Sequence, residues 1–290
     1  MLFSNIEIKG HSGCSIKVVE QGQGLLVIKS TDKKDYIARL KKQAEKQKHF
    51  FSTRYEKVQT PEIFDLAETK ETCTITMKYI HSQNFVEFLD HAGFEKIDRF
   101  TRQIIQFLDW EVSQSKMQEI PDEVLLDKFT DVKNNIQLSF PKEESIKFII
   151  SRSENVFNQT KNIYIPVGQC HGDLTLSNLL FNNDRIFVID FLDSFIESPL
   201  LDMIKIRQDT AFGWSYLMYS NSYDSVRHHI TIEWMDKVLK EHFSKYDWYN
   251  QYYEAFQLMN FLRILQYAHQ ADVISYLIEK INEILESHEF

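Results

Sequence analysis

The chain has 290 residues, 43% hydrophobic and 26% charged, with a net charge of −9, which is enough sequence for a sizeable core in one large domain or two lobes. The acidic balance removes the basic footprint of a nucleic-acid or anionic-membrane binder. Three cysteines without paired metal spacing argue for a reducing compartment and against a disulfide framework. The first residues, MLFSNIEIKG, carry no basic-then-apolar signal pattern, and no apolar run reaches membrane length. A soluble, cytoplasmic protein is the expectation.

Taken in chain order, the first eighty residues are strand-rich. Ile6 and Ile8 alternate with polar residues, and Ile16, Val18 and Val19 lead into the Gly-containing turn EQGQG, with LLVIK (25–29) as the return strand. The segment from Thr31 to Phe50 has helical spacing at Tyr36, Ile37, Leu40 and Ala44. EIFDLAE and TCTITMKYI form another hairpin around Thr69–Glu71. The order is three strands, one helix, two strands.

From residue 82 the pattern turns helical. NFVEFLDHAG begins at an Asn84 cap and stops at Gly93, and further helices are expected at 94–116, 121–139 and 142–159. IYIPV reads as a strand, LLFNNDRIFVID as a hairpin turning at Asn182–Asp184, and ESPLLDMIKI as a helix opening at Ser198 and Pro199. The expected architecture is α+β. Residues 1–80 form a small lobe of antiparallel sheet plus helix, and 81–290 a larger, mainly helical lobe.

Between the IYIPV strand and the hairpin lies HGDLTLSN (171–178), and VID follows at 188–190. Asp173 stands in a loop just after a strand, a good place for a base. Asn178 offers a neutral amide oxygen, and the hairpin returns Asp190 towards it. Two such hard oxygens suit Mg²⁺. Phosphoryl transfer needs this set of parts, since its catalysis is mostly positioning and charge compensation. Lys29 closes the third strand, and Glu45, sixteen residues later, is the only acid in the 36–50 stretch of the following helix. The pair either holds an ammonium towards phosphate or is a strand end and an exposed helix charge.

Together with Lys29, Glu45 and MKYI (77–80), the HGDLTLSN and VID motifs resemble the aminoglycoside phosphotransferase and choline kinase superfamily, which has the protein-kinase-like fold. That resemblance implies Asp173 as catalytic base, Asn178 and Asp190 as Mg²⁺ ligands, and Lys29 on the α- and β-phosphates of ATP or GTP. It implies Glu45 as the partner of Lys29, and a base-binding hinge in the backbone from Met77 to Ile80. GHSGCS (10–15) sits where a phosphate-covering loop belongs but lacks GxGxxG, leaving Ser12 and Gly13 as its backbone candidates. Thr175 stands where protein kinases carry a lysine, and the stretch 191–197 is too short for a peptide-docking segment. The expected acceptor is therefore a hydroxyl on a small molecule: a sugar, amino sugar, aminoglycoside or amino alcohol. A nucleotide-binding interaction module without catalysis is the alternative.

Several residues carry two readings. His171 is read as a buttress of the loop rather than an acid or base, and Cys170 as a small buried residue. Asp193 belongs to a DxxD pattern near the metal, and Asp202 complements a helix N-terminus or braces the catalytic loop. The C-terminal aromatics, Trp214 to Tyr253, form a cation-binding cage or, the preferred reading, pack the core. Arg263 on an apolar helix face binds a substrate anion or a nearby carboxylate.

Overall fold

A computed structural model describes residues 6–9, 14–22, 24–53, 55–217, 219 and 222–287. The first described strands are β1 (Ile6–Lys9), β2 (Ser15–Gln21) and β3 (Gly24–Thr31), and between β2 and β3 Gly22 adopts φ +63°. A left-handed residue matches the twist of a short hairpin, and glycine takes it at no steric cost. Helix α1 (Lys34–Thr53) follows, then the two-residue strand β4 (Val58–Gln59), β5 (Ile63–Glu68) and β6 (Cys73–Lys78). The sheet order is β1-β2-β3-β6-β5, all neighbours antiparallel. Helix α1 covers one face through Leu40 and Ala44, which join Cys14, Cys73, Ile75 and Met77 in a buried cluster. Each fully buried aliphatic side chain of this kind contributes about 1.5–3 kcal/mol.

The next elements are α2 (Phe85–His91), α3 (Phe94–Gln114), β7 (Lys116–Ile120), α4 (Asp122–Ser139), α5 (Glu144–Gln159) and β8 (Ile163–Val167). Asn84 and Glu87 close a capping box on α2, so the expected cap is in place. The helix expected over 94–116 ends at Gln114, and KMQEI forms β7, antiparallel to β8 from Lys116↔Val167 to Ile120↔Ile163. A partner more than forty residues away, not local periodicity, makes that segment a strand.

A short 3-10 turn (Leu176–Asn178) leads into β9 (Leu179–Asn182) and β10 (Arg185–Val188), which turn through Asn183 at φ +53°. Strand β4 adds to β10 in parallel, making a three-stranded sheet. The chain ends in α6 (Pro199–Thr210), the single turn α7 (Trp214–Leu217), α8 (Ser225–Phe243), α9 (Asp247–Leu265) and α10 (Ala271–Ser287).

The chain divides into two compact units. One comprises residues 1–107, 171–194 and 223–231, the other 108–170, 195–222 and 232–290. The first holds both the five-stranded sheet and the β9–β10 hairpin. In the second, α9 is buried on nearly all sides, from Tyr249 to Leu265, against α4, α5, α6, α10 and β8. Its buried positions include the polar Asn260, whose Nδ2 donates to Gln208 Oε1 at 2.7 Å. Among the described residues, no helix is long and apolar enough to cross a membrane.

Candidate active site

The loop between β8 and β9 is held by its own polar groups. His171 is completely buried, and its Nε2 lies 2.8 Å from the Ile189 carbonyl. Its Nδ1 accepts the Asp173 backbone N–H at 3.2 Å, so Nε2 carries the proton and donates. Burial pushes the imidazole down to about 4, outweighing the nearby Asp173 charge. A neutral ring with both nitrogens engaged braces the loop.

Two residues on, the Asp173 carbonyl accepts from Thr175 N–H at 2.8 Å and from Asn178 Nδ2 at 2.8 Å. Asn178 Nδ2 also reaches Asp173 Oδ2 at 3.0 Å. The asparagine therefore fixes the carboxylate of Asp173 through the donor end of its amide. Its acceptor end, Oδ1, is turned to the other side. Gly172, at φ +88°, is required for a second reason: a Cβ there would lie 2.1 Å from the Leu192 carbonyl oxygen.

The β9–β10 hairpin closes the circuit. Ile189 N–H donates to the Asn178 carbonyl at 3.1 Å, bringing Asp190 back beside the loop. Asp190 has φ +62°, a conformation that Asp and Asn tolerate better than most residues. Its Oδ1 is 2.8 Å from Lys29 Nζ, with side-chain exposures of 42% and 5%. Burial works against the Lys29 charge, but the Asp190 carboxylate outweighs it and raises the ammonium above its usual range. Lys29, Asp173, Asn178 and Asp190 thus meet within one unit. The donor set fits Mg²⁺: a carboxylate and an amide oxygen, both hard, with the amide's orientation fixed by its bond to Asp173.

A separate cavity of about 470 Å³ is lined by Lys78, Tyr79, Ile80, His81, the 182–185 turn and Phe187. Ile80 of the expected hinge borders this space, whereas the Met77 side chain is buried in the core under the sheet. Backbone bonds from Lys78 N–H to Glu62 O and from Tyr79 N–H to Leu25 O, at 2.9 and 3.2 Å, set the course of that segment. Ser12 and Gly13 lie outside the described residues.

Glu45 is a correction. It is exposed on α1, and Lys29 is paired with Asp190 instead. The helix turns Leu40, Gln43, Ala44 and Gln47 inward, and Glu45 lies on the opposite side by the 3.6-residue period. Sequence reading also missed what α1 does contribute. Lys42 pairs with Asp193 at 3.2 Å, Lys46 Nζ donates to the Leu192 carbonyl at 2.6 Å, and Phe50 packs on Phe191 at a centroid distance of 5.3 Å. The regular four-residue spacing of these three was the available signal.

In the second unit, Asp202 is buried in the first turn of α6, which Ser198 caps through Leu200 N–H. The aromatic cluster there already holds a cation. Arg207 lies 4.6 Å from the Tyr253 ring centroid, bonds to Tyr249 Oη at 2.8 Å and pairs with Asp236 through two bonds of 2.9 Å. Tyr249 and Tyr253 thus pack around an internal arginine. Arg263 sits over the Phe195 ring at 5.6 Å.

The model of the phosphotransferase enzyme family matches residues 15–215. No curated protein sequence matches the chain. Among solved structures, one assigned as a fructosamine-3-kinase from Thermobifida fusca YX-ER1 superposes with a TM-score of 0.63 at 12% identity, covering 98% of this chain and 93% of that one. An aminoglycoside phosphotransferase solved with GDP and kanamycin gives 0.63 at 12%, covering 100% and 95%. A spectinomycin phosphotransferase with ADP and spectinomycin gives 0.54 at 14%, covering 98% and 93%. At these identities the likeness establishes the protein-kinase-like fold.

Proposed function

The chain belongs to the phosphotransferase enzyme family, and from that premise we propose that it transfers the terminal phosphate of ATP or GTP, with Mg²⁺, to a hydroxyl group of a small molecule. One observation carries the reading: Asp173, Asn178, Asp190 and Lys29 converge through short polar contacts in a single unit. Those are the oxygen and cation types that phosphoryl transfer requires.

In this reading Asp173 orients the acceptor hydroxyl and takes its proton. Asn178 fixes the Asp173 carboxylate with its amide N–H and presents its amide oxygen, with Asp190, to the metal. Asn178 and Asp190 would hold Mg²⁺, which when bound would supply positive charge against the nucleotide's phosphates. Lys29 exchanges its Asp190 contact for the inner phosphates of the nucleotide. The backbone of the Met77–Ile80 hinge and the cavity next to Ile80 receive the base. His171 stays neutral and keeps the loop in register.

The overall charge of −9 favours approach of cationic acceptors. Among the similar structures, one was solved with kanamycin and another with spectinomycin. The test is release of ADP or GDP in the presence of Mg²⁺ across a panel of fructosamines, aminoglycosides, amino sugars and amino alcohols. Asp173→Asn is expected to lower turnover by about 10²–10⁴ while nucleotide affinity stays close to that of the unaltered protein. Equal turnover in the variant removes Asp173 from the role of base.

A further inference from the structure

Lys42, Lys46 and Phe50 of α1 meet Asp193, Leu192 and Phe191 in turn, so one edge of the helix follows the segment that begins right after Asp190. The three contacts differ in what they do. Lys42 and Asp193 are 65% and 46% exposed, and such a surface pair is worth little. Phe50 on Phe191 is apolar packing. Lys46 is half-buried and places a full charge on a backbone carbonyl at 2.6 Å, a bond about twice as strong as its neutral counterpart.

The carbonyl it holds belongs to a residue whose N–H and C=O are both engaged. Leu192 N–H donates to the His171 carbonyl at 3.1 Å, and Leu192 O also rests against Gly172. This single residue therefore joins α1, the loop carrying Asp173 and the segment carrying Asp190. On its other side Asp190 is preceded by Ile189, whose N–H donates to Asn178 O and whose carbonyl accepts from His171 Nε2, and its own carboxylate pairs with Lys29. Its φ of +62° is a conformation that the surroundings must impose.

From these contacts we infer that Lys46 is a positioning residue for Asp190, setting the direction of its carboxylate by anchoring Leu192. The inference rests on the reading of Asp190 as a Mg²⁺ ligand. Groups that orient a metal ligand from behind typically carry 10–100-fold in metal affinity. Without Lys46 the Leu192 carbonyl loses its cationic donor and the 190–193 segment samples other directions.

The test measures ADP and GDP binding to the full chain as a function of Mg²⁺ concentration, with thermal unfolding alongside. Lys46→Met keeps most of the aliphatic stem and removes the donor. It is expected to raise the Mg²⁺ concentration at half-saturation by about 10–100-fold, and Lys46→Arg to restore most of the loss. Should Lys46→Met fail to fold, Lys46→Gln, which keeps an N–H donor without the charge, is compared with Lys46→Arg, and a higher Mg²⁺ requirement in Gln than in Arg is expected. Hydrogen exchange at Leu192 N–H is expected to quicken in the Met or Gln variant without any metal. A folded Lys46→Met with unaltered Mg²⁺ dependence overturns the inference alone, as does a Lys46→Gln matching Lys46→Arg, whatever either does to melting. Absence of Mg²⁺-dependent nucleotide binding in the unaltered protein overturns the metal reading and this inference with it.

Discussion

At the scale of single residues, His171 shows how burial turns a titratable group into a structural one. Its two nitrogens are committed to Ile189 O and Asp173 N–H, and its pKa is pushed down to about 4 from the ordinary 6.5. The sign of the pH effect follows. The unfolded chain takes up a proton at this histidine below pH 6.5, while the folded chain resists until about 4. Stability from the buried neutral ring is therefore complete above pH 6.5 and is lost as pH falls towards 4, to a total of about 3 kcal/mol. Unfolding by urea at pH 7, 5.5 and 4.5 is expected to show that loss, and His171→Gln to flatten it. An equal slope in the variant assigns the pH dependence to other groups. His171, Asp173, Asn178 and Asp190 were all legible from HGDLTLSN and VID because a loop site encodes its chemistry in residue type and short spacing. The partner of Lys29 was not, since a hydrogen-bond partner depends on the rotation of a helix by a single residue.

At the scale of elements, α1 and α6 illustrate two routes by which charged helices pack. Helix α1 is rich in lysine, yet it uses Lys42 and Lys46 at the edge of its buried face to hold the 192–193 segment. Helix α6 buries its charge outright. Arg207 and Asp236 of α8 have side-chain exposures of 7% and 17%, and Thr210 Oγ1 adds a bond of 2.8 Å to Asp236. Removing one member of such a pair strands the other. Asp236→Ala is expected to cost about 3–5 kcal/mol, and Arg207→Met combined with Asp236→Leu less than that single change. Denaturant midpoints check the order, and a double variant weaker than Asp236→Ala contradicts it. Strong local signals found most elements: the Asn84 and Ser198 caps, the Gly22 turn and the period of α1. Strands β4 and β7 escaped because each is short and exists through pairing with a distant strand, Val58 with Ile186 and Lys116 with Val167. Nothing local to VQ or KMQEI encodes those partners.

At the scale of the whole molecule, the chain combines a sheet-and-hairpin unit that carries Lys29, Asp173, Asn178 and Asp190 with a unit built around the buried helix α9. Fold and chemistry were readable together because the family signature lies in the connection between IYIPV and the hairpin. Acceptor preference has no comparable signature. The aromatics at Tyr249 and Tyr253, which the sequence alone left open as a cation cage, are occupied by Arg207. The central claim is that Asp190 and Asn178 hold Mg²⁺ for a nucleotide, and calorimetric titration of ADP or GDP with and without Mg²⁺ tests it most directly. Mg²⁺-dependent binding is expected in the unaltered protein and its loss in Asp190→Asn; equal binding in the two proteins, or binding indifferent to Mg²⁺, removes Asp190 from the metal site.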